Sequence, residues 1–156
     1  MARQLFLLIA FFTMSVTASA DDVSAYYGLW WNEDRSGIFE LQAADGGSIE
    51  GVTRWGKGQD KDINNPDPAL RDRDLKGISF LYGFEYVAKK NRWKDGKVYD
   101  PGNGKTYSAK MELEKGGSIL KMRGYIGVSL LGRTARFERV SDADMPAELR
   151  AEIAAR

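Results

Sequence analysis

Two short motifs in this chain imitate loops that bind phosphate or calcium in other proteins. Gly104-Lys105-Thr106 is similar to the end of a phosphate-binding P-loop, but that motif also requires a glycine five positions before Gly104 and a helix after the threonine. Tyr99 occupies the first of these positions, and a predicted strand follows the motif. We therefore do not expect this segment to bind a nucleotide.

The second motif is Asp60-x-Asp62-x-Asn64, which has the spacing that opens a calcium-binding loop. Asn65 replaces the glycine required at position six, and Arg71 replaces the bidentate glutamate required at position twelve. Without that carboxylate a calcium site is not expected. We interpret the segment as an acidic loop in contact with solvent, and we predict no metal and no cofactor.

Acid–base catalysis is the third kind of chemistry that the residue types allow. Asp100, Lys105 and Tyr107 lie close together in the sequence, and carboxylates can act as general acids or bases without histidine. Their spacing, however, is not diagnostic of a catalytic site. The chain contains no histidine and no cysteine, so it lacks the usual general base at neutral pH and the ligands that zinc and copper prefer. We therefore predict that the protein is not an enzyme.

A binding site for a small molecule is better supported by the arginines, tyrosines and other aromatic residues. Guanidinium groups and tyrosine hydroxyls suit a carboxylate or phosphate head group, and an apolar interior suits a chain or a ring. The candidate ligand-binding residues are Tyr107, Arg133, Arg71, Arg73, Tyr99, Trp55 and Tyr86. Alternatively, the arginines form salt bridges that hold a loop on the body of the protein, for example Arg71 with Asp100.

The elements that position these residues are predicted to be short strands, because segments rich in aromatic and branched residues alternate with glycine turns. We expect strands at 29–33, 37–44, 47–55, 80–88, 96–100, 105–114, 118–127 and 132–140, and a helix over 141–155. Hairpin turns are expected at Asp45-Gly46-Gly47, Asp95-Gly96 and Lys115-Gly116-Gly117. This pattern predicts an all-β fold, a small antiparallel up-and-down β-barrel of about eight strands with a C-terminal helix.

Alternation along the strands separates an apolar face from a charged one. Arg123 and Tyr125 point away from the apolar side unless a bulge intervenes. Arg133 shares its face with Ala135 and Phe137. Arg133 is therefore the better candidate for a side chain that points inward.

The polar stretch 56–76 is too long for an ordinary strand connection. Within it, Asp67 followed by Pro68 predicts an N-cap and the first position of a short helical turn that continues to Arg71. We interpret this loop as a lid over one end of the barrel.

Residues 1–20 have the pattern of a cleavable secretory signal peptide. Arg3 precedes an apolar run over 5–12, and small residues end in Ala18-Ser19-Ala20. The run is much shorter than the roughly twenty apolar residues of a membrane-spanning helix. We predict cleavage after Ala20, a single domain over 21–156, and a periplasmic or secreted location.

Composition bounds the partners of the mature chain. The sequence has 23 basic and 22 acidic residues, and cleavage would remove one basic residue, Arg3. A neutral protein has no general attraction for nucleic acid or anionic lipid. We expect no nucleic-acid partner and no membrane span after cleavage. Because there is no cysteine for a lipid anchor, a soluble product is expected, with a fold held by its core and not by disulfides.

Five segments together resemble the bacterial secreted proteins of domain of unknown function 2147 (DUF2147). They are GLWW at Gly28, NPDPALRDR from Asn65, YDPGNGKTYS from Tyr99, MRGYIG from Met122 and LLGRT from Leu130. The resemblance covers nearly all of the chain after residue 20. It implies a lipocalin-like β-barrel that is exported to the periplasm or beyond, with no established activity and no catalytic residues.

The resemblance also implies a role for two residues at the ends of the barrel. Gly28-Leu29-Trp30 is similar to the Gly-x-Trp start of lipocalin barrels, which place a basic residue over that tryptophan, and Arg139 stands near the end of the last predicted strand. We assign this pair to closure of the barrel. Family members often have an aromatic residue at the position of Leu131 and a tryptophan at that of Phe137, so packing at the barrel end is expected to differ.

We therefore predict an exported lipocalin-like barrel that binds a small apolar or amphipathic ligand, with Tyr107 and Arg133 nearest its polar end. The alternative is a non-enzymatic envelope interaction or stress protein. In that case the barrel is a solid scaffold, and the loop 56–76 and an arginine rim bind a protein or a cell-wall component. The volume and lining of the barrel interior distinguish the two hypotheses.

Overall fold

The structure of the protein is a computed structural model that describes residues 20–155. The predicted signal peptide therefore lies outside the described residues, except for Ala20. The strands are β1 (Gly28–Trp31), β2 (Gly37–Ala43), β3 (Ile49–Gly56), β4 (Ser79–Tyr82), β5 (Glu85–Val87), β6 (Arg92–Asp100), β7 (Lys105–Glu114), β8 (Ile119–Tyr125) and β9 (Arg133–Glu138). The α-helices are α1 (Ala20–Ser24) and α2 (Ala147–Ala154). Within this part of the chain, no helix has both the length and the apolar character needed to cross a membrane.

The strands form one antiparallel sheet in the order β1-β2-β3-β4-β6-β7-β8-β9, and β5 also pairs with β6. The sheet closes on itself where the backbone of Trp30 bridges that of Arg139. Next to this bridge, the Val140 amide donates to the Leu29 carbonyl at 3.0 Å. Closure leaves little free edge for pairing with another chain. The predicted up-and-down barrel is confirmed.

The predicted strand 80–88 is wrong, because it divides into β4 and β5. Gly83 adopts a φ of +71°, which breaks the strand and lets Phe84 enter the core. The Phe84 ring lies over Gly96, where a Cβ atom would be 2.3 Å from the ring. Only glycine at position 96 leaves room for this ring.

The hairpin turn predicted at Asp95-Gly96 is also wrong. Asp95 has a φ of +56°, and the pairing of β6 with β7 shifts register between Trp93 and Gly96. The segment is therefore a bulge inside β6. The turn that precedes β6 runs over 88–90 and ends at Asn91, which has a φ of +41°.

The remaining turns and the helix agree with the predictions in kind. Turns at 45–47 and 115–117 join β2 to β3 and β7 to β8. The C-terminal helix is shorter than the predicted range 141–155, because 141–144 form a turn and Pro146 precedes the first helical residue. Leu149 buries this helix against the outside of the barrel.

The up-and-down order places the short turns 45–47, 88–90 and 115–117 at one end of the barrel, the closed end, and the longer connections at the other, the open end. The closed end is filled by large side chains, which include Tyr26, Trp30, Ile49, Trp93, Met111 and Leu120. The rings of Tyr26 and Trp93 meet edge to face with centroids 6.1 Å apart. Any space for a ligand inside the barrel must therefore lie towards the open end.

Asp144 holds the segment after β9 against the connection between β1 and β2. Its carboxylate accepts from Arg35 at 2.5 Å and from the Ser141 amide at 2.8 Å. The hydrogen bond from Arg35 is the main cause that lowers the pKa of Asp144 to about 2. Because this pKa is below that of the unfolded chain, the carboxylate stabilises the fold above the unfolded pKa, and the stabilisation is lost as pH falls towards 2.

We expect Asp144→Asn to lower the free energy of unfolding at pH 6 by less than about 1 kcal/mol, since both partners are partly exposed. The difference from the wild-type protein should shrink as pH falls from 4 to 2 in urea unfolding. Asp142→Asn, at an exposed position nearby, should show no such trend. A constant difference over this pH range would contradict the assignment.

Candidate functional site

The open end of the barrel encloses a cavity of about 650 Å³. Most of its lining is apolar and comes from Phe80, Val98, Met122, Ile126, Leu131 and Phe137. Its polar side chains are those of Tyr99, Asp100, Asn103, Tyr107, Tyr125 and Arg133. An apolar cavity with a few polar groups is typical of a site for a small molecule.

Small residues at two inward positions of neighbouring strands leave this space open. Gly124 of β8 and Ala135 of β9 both line the cavity. A Cβ atom on Gly124 would be 3.8 Å from both the Tyr107 Cβ and a Val98 methyl group, so it would meet only ordinary contacts. Nearer the closed end, the inward position on β8 is occupied by Leu120, which is fully buried.

Three of the sequence-predicted site residues line the cavity: Tyr107, Arg133 and Tyr99. The Tyr107 hydroxyl accepts a hydrogen bond from Asn103 at 3.0 Å. The Arg133 side chain is 83% exposed and pairs with Glu33 at 2.6 Å. These two residues therefore place one neutral and one cationic polar group at the opening.

Tyr99 contributes its ring to the cavity, while its hydroxyl is engaged elsewhere. The hydroxyl donates to Asp62 at 2.5 Å. Burial is the main cause that raises the pKa of Tyr99, and the hydrogen bond to the Asp62 carboxylate adds to it. The hydroxyl therefore remains a donor to the loop between β3 and β4.

Asp62 corrects the expectation of a solvent-exposed acidic loop, because this carboxylate is fully buried. Besides Tyr99, it accepts from Asn65 at 2.7 Å and from Arg73 at 2.9 and 2.7 Å. Burial acts to raise the pKa of Asp62, but the hydrogen bonds from Tyr99, Asn65 and Arg73 together hold it below its ordinary value. The charge is thus stabilised inside the loop by its own neighbours.

The same loop is fixed to the connection between β6 and β7. Asn64 donates to the carbonyls of Pro101 and Gly102, both at 3.0 Å. Gly104 adopts a φ of +69°, and a Cβ there would lie 1.9 Å from the Asn64 carbonyl oxygen. The glycine of the P-loop-like motif therefore serves close packing of two loops. The predicted helical turn is also present, with Asp67 accepting from the Ala69 amide.

The structure does not bring Arg71, Arg73, Trp55 or Tyr86 to the cavity. Arg73 is held by Asp62, and Arg71 donates to the Asn65 carbonyl at 2.9 Å instead of pairing with Asp100. The Trp55 ring packs on Trp31 outside the barrel, with centroids 5.8 Å apart. The Tyr86 ring packs on Trp93 at 5.0 Å, and its hydroxyl donates to Asn91. Each of these side chains is engaged by residues that do not line the cavity.

Two features of the opening were not predicted from the sequence. Tyr125 lines the cavity although alternation places it on the outer face; it is the last residue of β8 and lies beside Gly132. The connection from β8 to β9 exposes four aliphatic side chains, Ile126 (67%), Val128 (61%), Leu130 (85%) and Leu131 (81%). Their only sequence signal is an apolar run, IGVSLL, at a loop position.

Arg123 supports this exposed connection from the outer face, as alternation predicts. It donates to the carbonyls of Ser129 and Leu130 at 2.6 and 3.0 Å, and to the Thr134 hydroxyl at 2.9 Å. In the part of the chain that the structure describes, no three carboxylate, histidine or cysteine side chains form a group that could hold a metal ion.

Comparison with known proteins agrees with this architecture. A family model described as an uncharacterized protein conserved in bacteria (DUF2147) matches residues 28–139. The chain belongs to the DUF2147 family. The matched range contains all nine strands and every residue that lines the cavity. The resemblance seen in the five sequence segments is therefore confirmed.

The DUF2147 barrel is also similar to a solved structure, protein HP1028 from the human pathogen Helicobacter pylori, which belongs to the lipocalin family. The TM-score is 0.68 at 26% sequence identity, over 80% of this chain and 88% of that one. No curated protein sequence matches the chain. The lipocalin-like form of the DUF2147 barrel is thus supported by a direct structural comparison.

Proposed function

We propose that this protein is an exported lipocalin-like barrel that binds a small apolar or amphipathic molecule in the cavity at its open end. The observation that carries the proposal is the cavity itself, whose volume of about 650 Å³ lies in the range of small-molecule sites. A lipocalin-like barrel in an uncharacterised family is consistent with a protein that is not an enzyme.

The distribution of polar groups favours a ligand with one polar end. The Met122 side chain and the Phe80 and Phe137 rings offer only apolar contact. The polar atoms of Tyr107, Asn103 and Arg133 belong to loops or to strand ends at the opening. An anionic head group at Arg133 would compete with Glu33 for the guanidinium group.

The alternative, an interaction protein that uses the loop 56–76 and an arginine rim, has less support. Arg71 and Arg73 are engaged within the loop, by the Asn65 carbonyl and by Asp62. The four exposed aliphatic side chains described above lie in the connection from β8 to β9 and not in this loop. The barrel interior is not solid at this end.

Filling the cavity should weaken ligand uptake. Ala135→Phe adds a ring to the cavity lining and is expected to weaken binding of the neutral fluorescent probe N-phenyl-1-naphthylamine by about tenfold or more, which corresponds to about 1.4 kcal/mol. The matched control is Ala43→Phe, at an exposed position at the end of β2. Unchanged probe binding by a folded Ala135→Phe protein would contradict the proposal.

The polar end of the ligand is tested with Arg133→Gln and two probes. Binding of the anionic probe 8-anilinonaphthalene-1-sulfonate should weaken by up to about fivefold, since the guanidinium is largely exposed. Binding of the neutral probe should not change.

The natural ligand is sought by solvent extraction and mass spectrometry of protein recovered from a periplasmic extract. The N-terminal sequence of the recovered protein tests export, since cleavage after Ala20 predicts Asp21 as the first residue.

A further inference from the structure

A second and smaller pocket lies on the outer face of the sheet, across β6, β7, β8 and β9. Its volume is about 280 Å³, and it shares no lining residue with the cavity of the open end. Four cations and one carboxylate line it, namely Arg92, Lys110, Lys121, Arg123 and Glu112. The lining thus carries a strong local positive charge on a nearly neutral protein.

Strand register forces two of these cations together. Lys110 of β7 and Arg123 of β8 are directly opposite each other in the antiparallel pair. Like charges at such positions destabilise a sheet. The carboxylate of the pocket does not relieve this repulsion, because Glu112 accepts from Lys121 at 2.7 Å. A negative charge supplied from outside the chain would relieve it.

The donors of the pocket are also incompletely used. Arg123 is bound only to neutral acceptors, the Ser129 and Leu130 carbonyls and the Thr134 hydroxyl. Lys110 makes a single long hydrogen bond, to the Ser129 hydroxyl at 3.4 Å. Among the described residues, the Nε atom of Arg92 is buried without any hydrogen-bond acceptor. A buried donor without a partner is costly, so a movement of the Arg92 side chain that brought this donor to an external acceptor would be favourable.

We propose that this pocket binds a phosphate group, either as the free anion or as the head group of an anionic lipid. The guanidinium of Arg92 and the ammonium of Lys110 would donate charge-assisted hydrogen bonds to its oxygens. A lipid source is considered because Arg123 and Lys110 hold the connection that exposes Leu130 and Leu131. An exposed aliphatic group next to cations is typical of contact with a membrane surface.

Titration with inorganic phosphate, followed by NMR of the full mature protein, tests the site directly. At constant ionic strength we expect a saturable shift of the Arg92 Nε–H resonance with phosphate, and no such shift with chloride. The affinity of the double variant Arg92→Gln/Lys110→Gln for phosphate should be lower than that of the wild-type protein by about tenfold or more. Lys97→Gln is the matched control, because Lys97 is an exposed lysine of β6 that does not line the pocket.

Vesicles distinguish the two sources of phosphate. The lipid head group is supported if the protein sediments with phosphatidylcholine vesicles that contain phosphatidylglycerol and not with vesicles of pure phosphatidylcholine. The double variant should then lose this sedimentation. Saturable phosphate binding without vesicle binding supports the free anion.

The proposal is overturned if phosphate causes no saturable shift, if chloride reproduces the shift, or if the double variant binds phosphate as tightly as the wild-type protein. Should the double variant fail to fold, Arg92→Lys replaces it, because it retains the charge and removes the Nε donor. Ala135→Phe should bind phosphate as the wild-type protein does. A failure of the cavity proposal can therefore be distinguished from a failure of the phosphate proposal.

Discussion

Asp62→Ala is expected to lower the free energy of unfolding by about 3 kcal/mol. The variant leaves the Tyr99 hydroxyl, the Asn65 amide and the Arg73 guanidinium without the acceptor that they share. Tyr99 and Asn65 are buried and cannot recover these bonds from water. The Arg73 side chain is 37% exposed and can be hydrated, so we place the loss at the lower end for a broken buried ion pair.

Urea unfolding at pH 7 measures this loss, and Asp72→Ala is the matched control. Asp72 is an exposed carboxylate of the same loop, and its removal should change the free energy by less than about 0.5 kcal/mol. Equal effects of the two substitutions would show that the loop is not held by the buried carboxylate. Asp62→Ala should also increase proteolysis within 57–76, since the loop loses its attachment through Tyr99.

The same carboxylate makes the loop sensitive to acid. Because the hydrogen bonds of Asp62 hold its pKa below the ordinary value, it stabilises the folded state above the unfolded pKa. That stabilisation is lost as pH falls through the lowered pKa. Acid should therefore loosen the loop and its attachment to Tyr99 in the wild-type protein and have less effect in Asp62→Ala.

The fold could be predicted from the sequence because its main determinants are local. Alternating apolar residues and glycine turns identify the strands, and consecutive antiparallel pairing then gives the barrel. The contact between Phe84 and Gly96 could not be predicted in this way, since the Phe84 ring fills the space that a side chain at position 96 would occupy. Gly83 is a local signal for a break within 80–88, but the contact of Phe84 with Gly96 that fixes the break is not local.

The site could be predicted only where strand alternation governs it. Tyr107 of β7 and Arg133 of β9 occupy inward positions on the two strands that flank β8, and both line the cavity. The partner of Arg73 is not evident from the sequence, because Asp62 lies eleven positions away in a polar loop and is buried only in the folded protein. A sequence-level signal for the cavity does exist, namely small residues at the inward positions Gly124 and Ala135.

One arginine adds side-chain contacts to the closure of the barrel, at the opposite end from the cavity. Arg139 lies over the Trp30 ring at 4.1 Å. It donates to three backbone carbonyls, those of Gly117 at 3.0 Å, Tyr27 at 2.8 Å and Ala25 at 2.6 Å. These contacts join the end of β9 to the segment before β1 and to the turn between β7 and β8. A single side chain thus connects the first and last strands.

Arg139→Met retains an apolar stem but removes the charge and all three hydrogen bonds, and we expect it to lower the free energy of unfolding by about 3 kcal/mol. Arg139→Lys should recover only part of this, because an ammonium cannot reproduce the planar fork of donors or its stacking on an indole. Arg136→Met is the control on the same strand, since Arg136 is exposed and pairs with Glu114.

Urea unfolding ranks the three variants, and hydrogen exchange locates the effect. Faster exchange should appear at the Val140 amide, which donates to Leu29 across the closure. If Arg139→Met and Arg136→Met were equally stable, the closure between the first and last strands, here called the seam, would be held by backbone pairing alone. Because the cavity is built from the far ends of β7, β8 and β9, a loosened seam should also weaken probe binding without any change in the cavity lining.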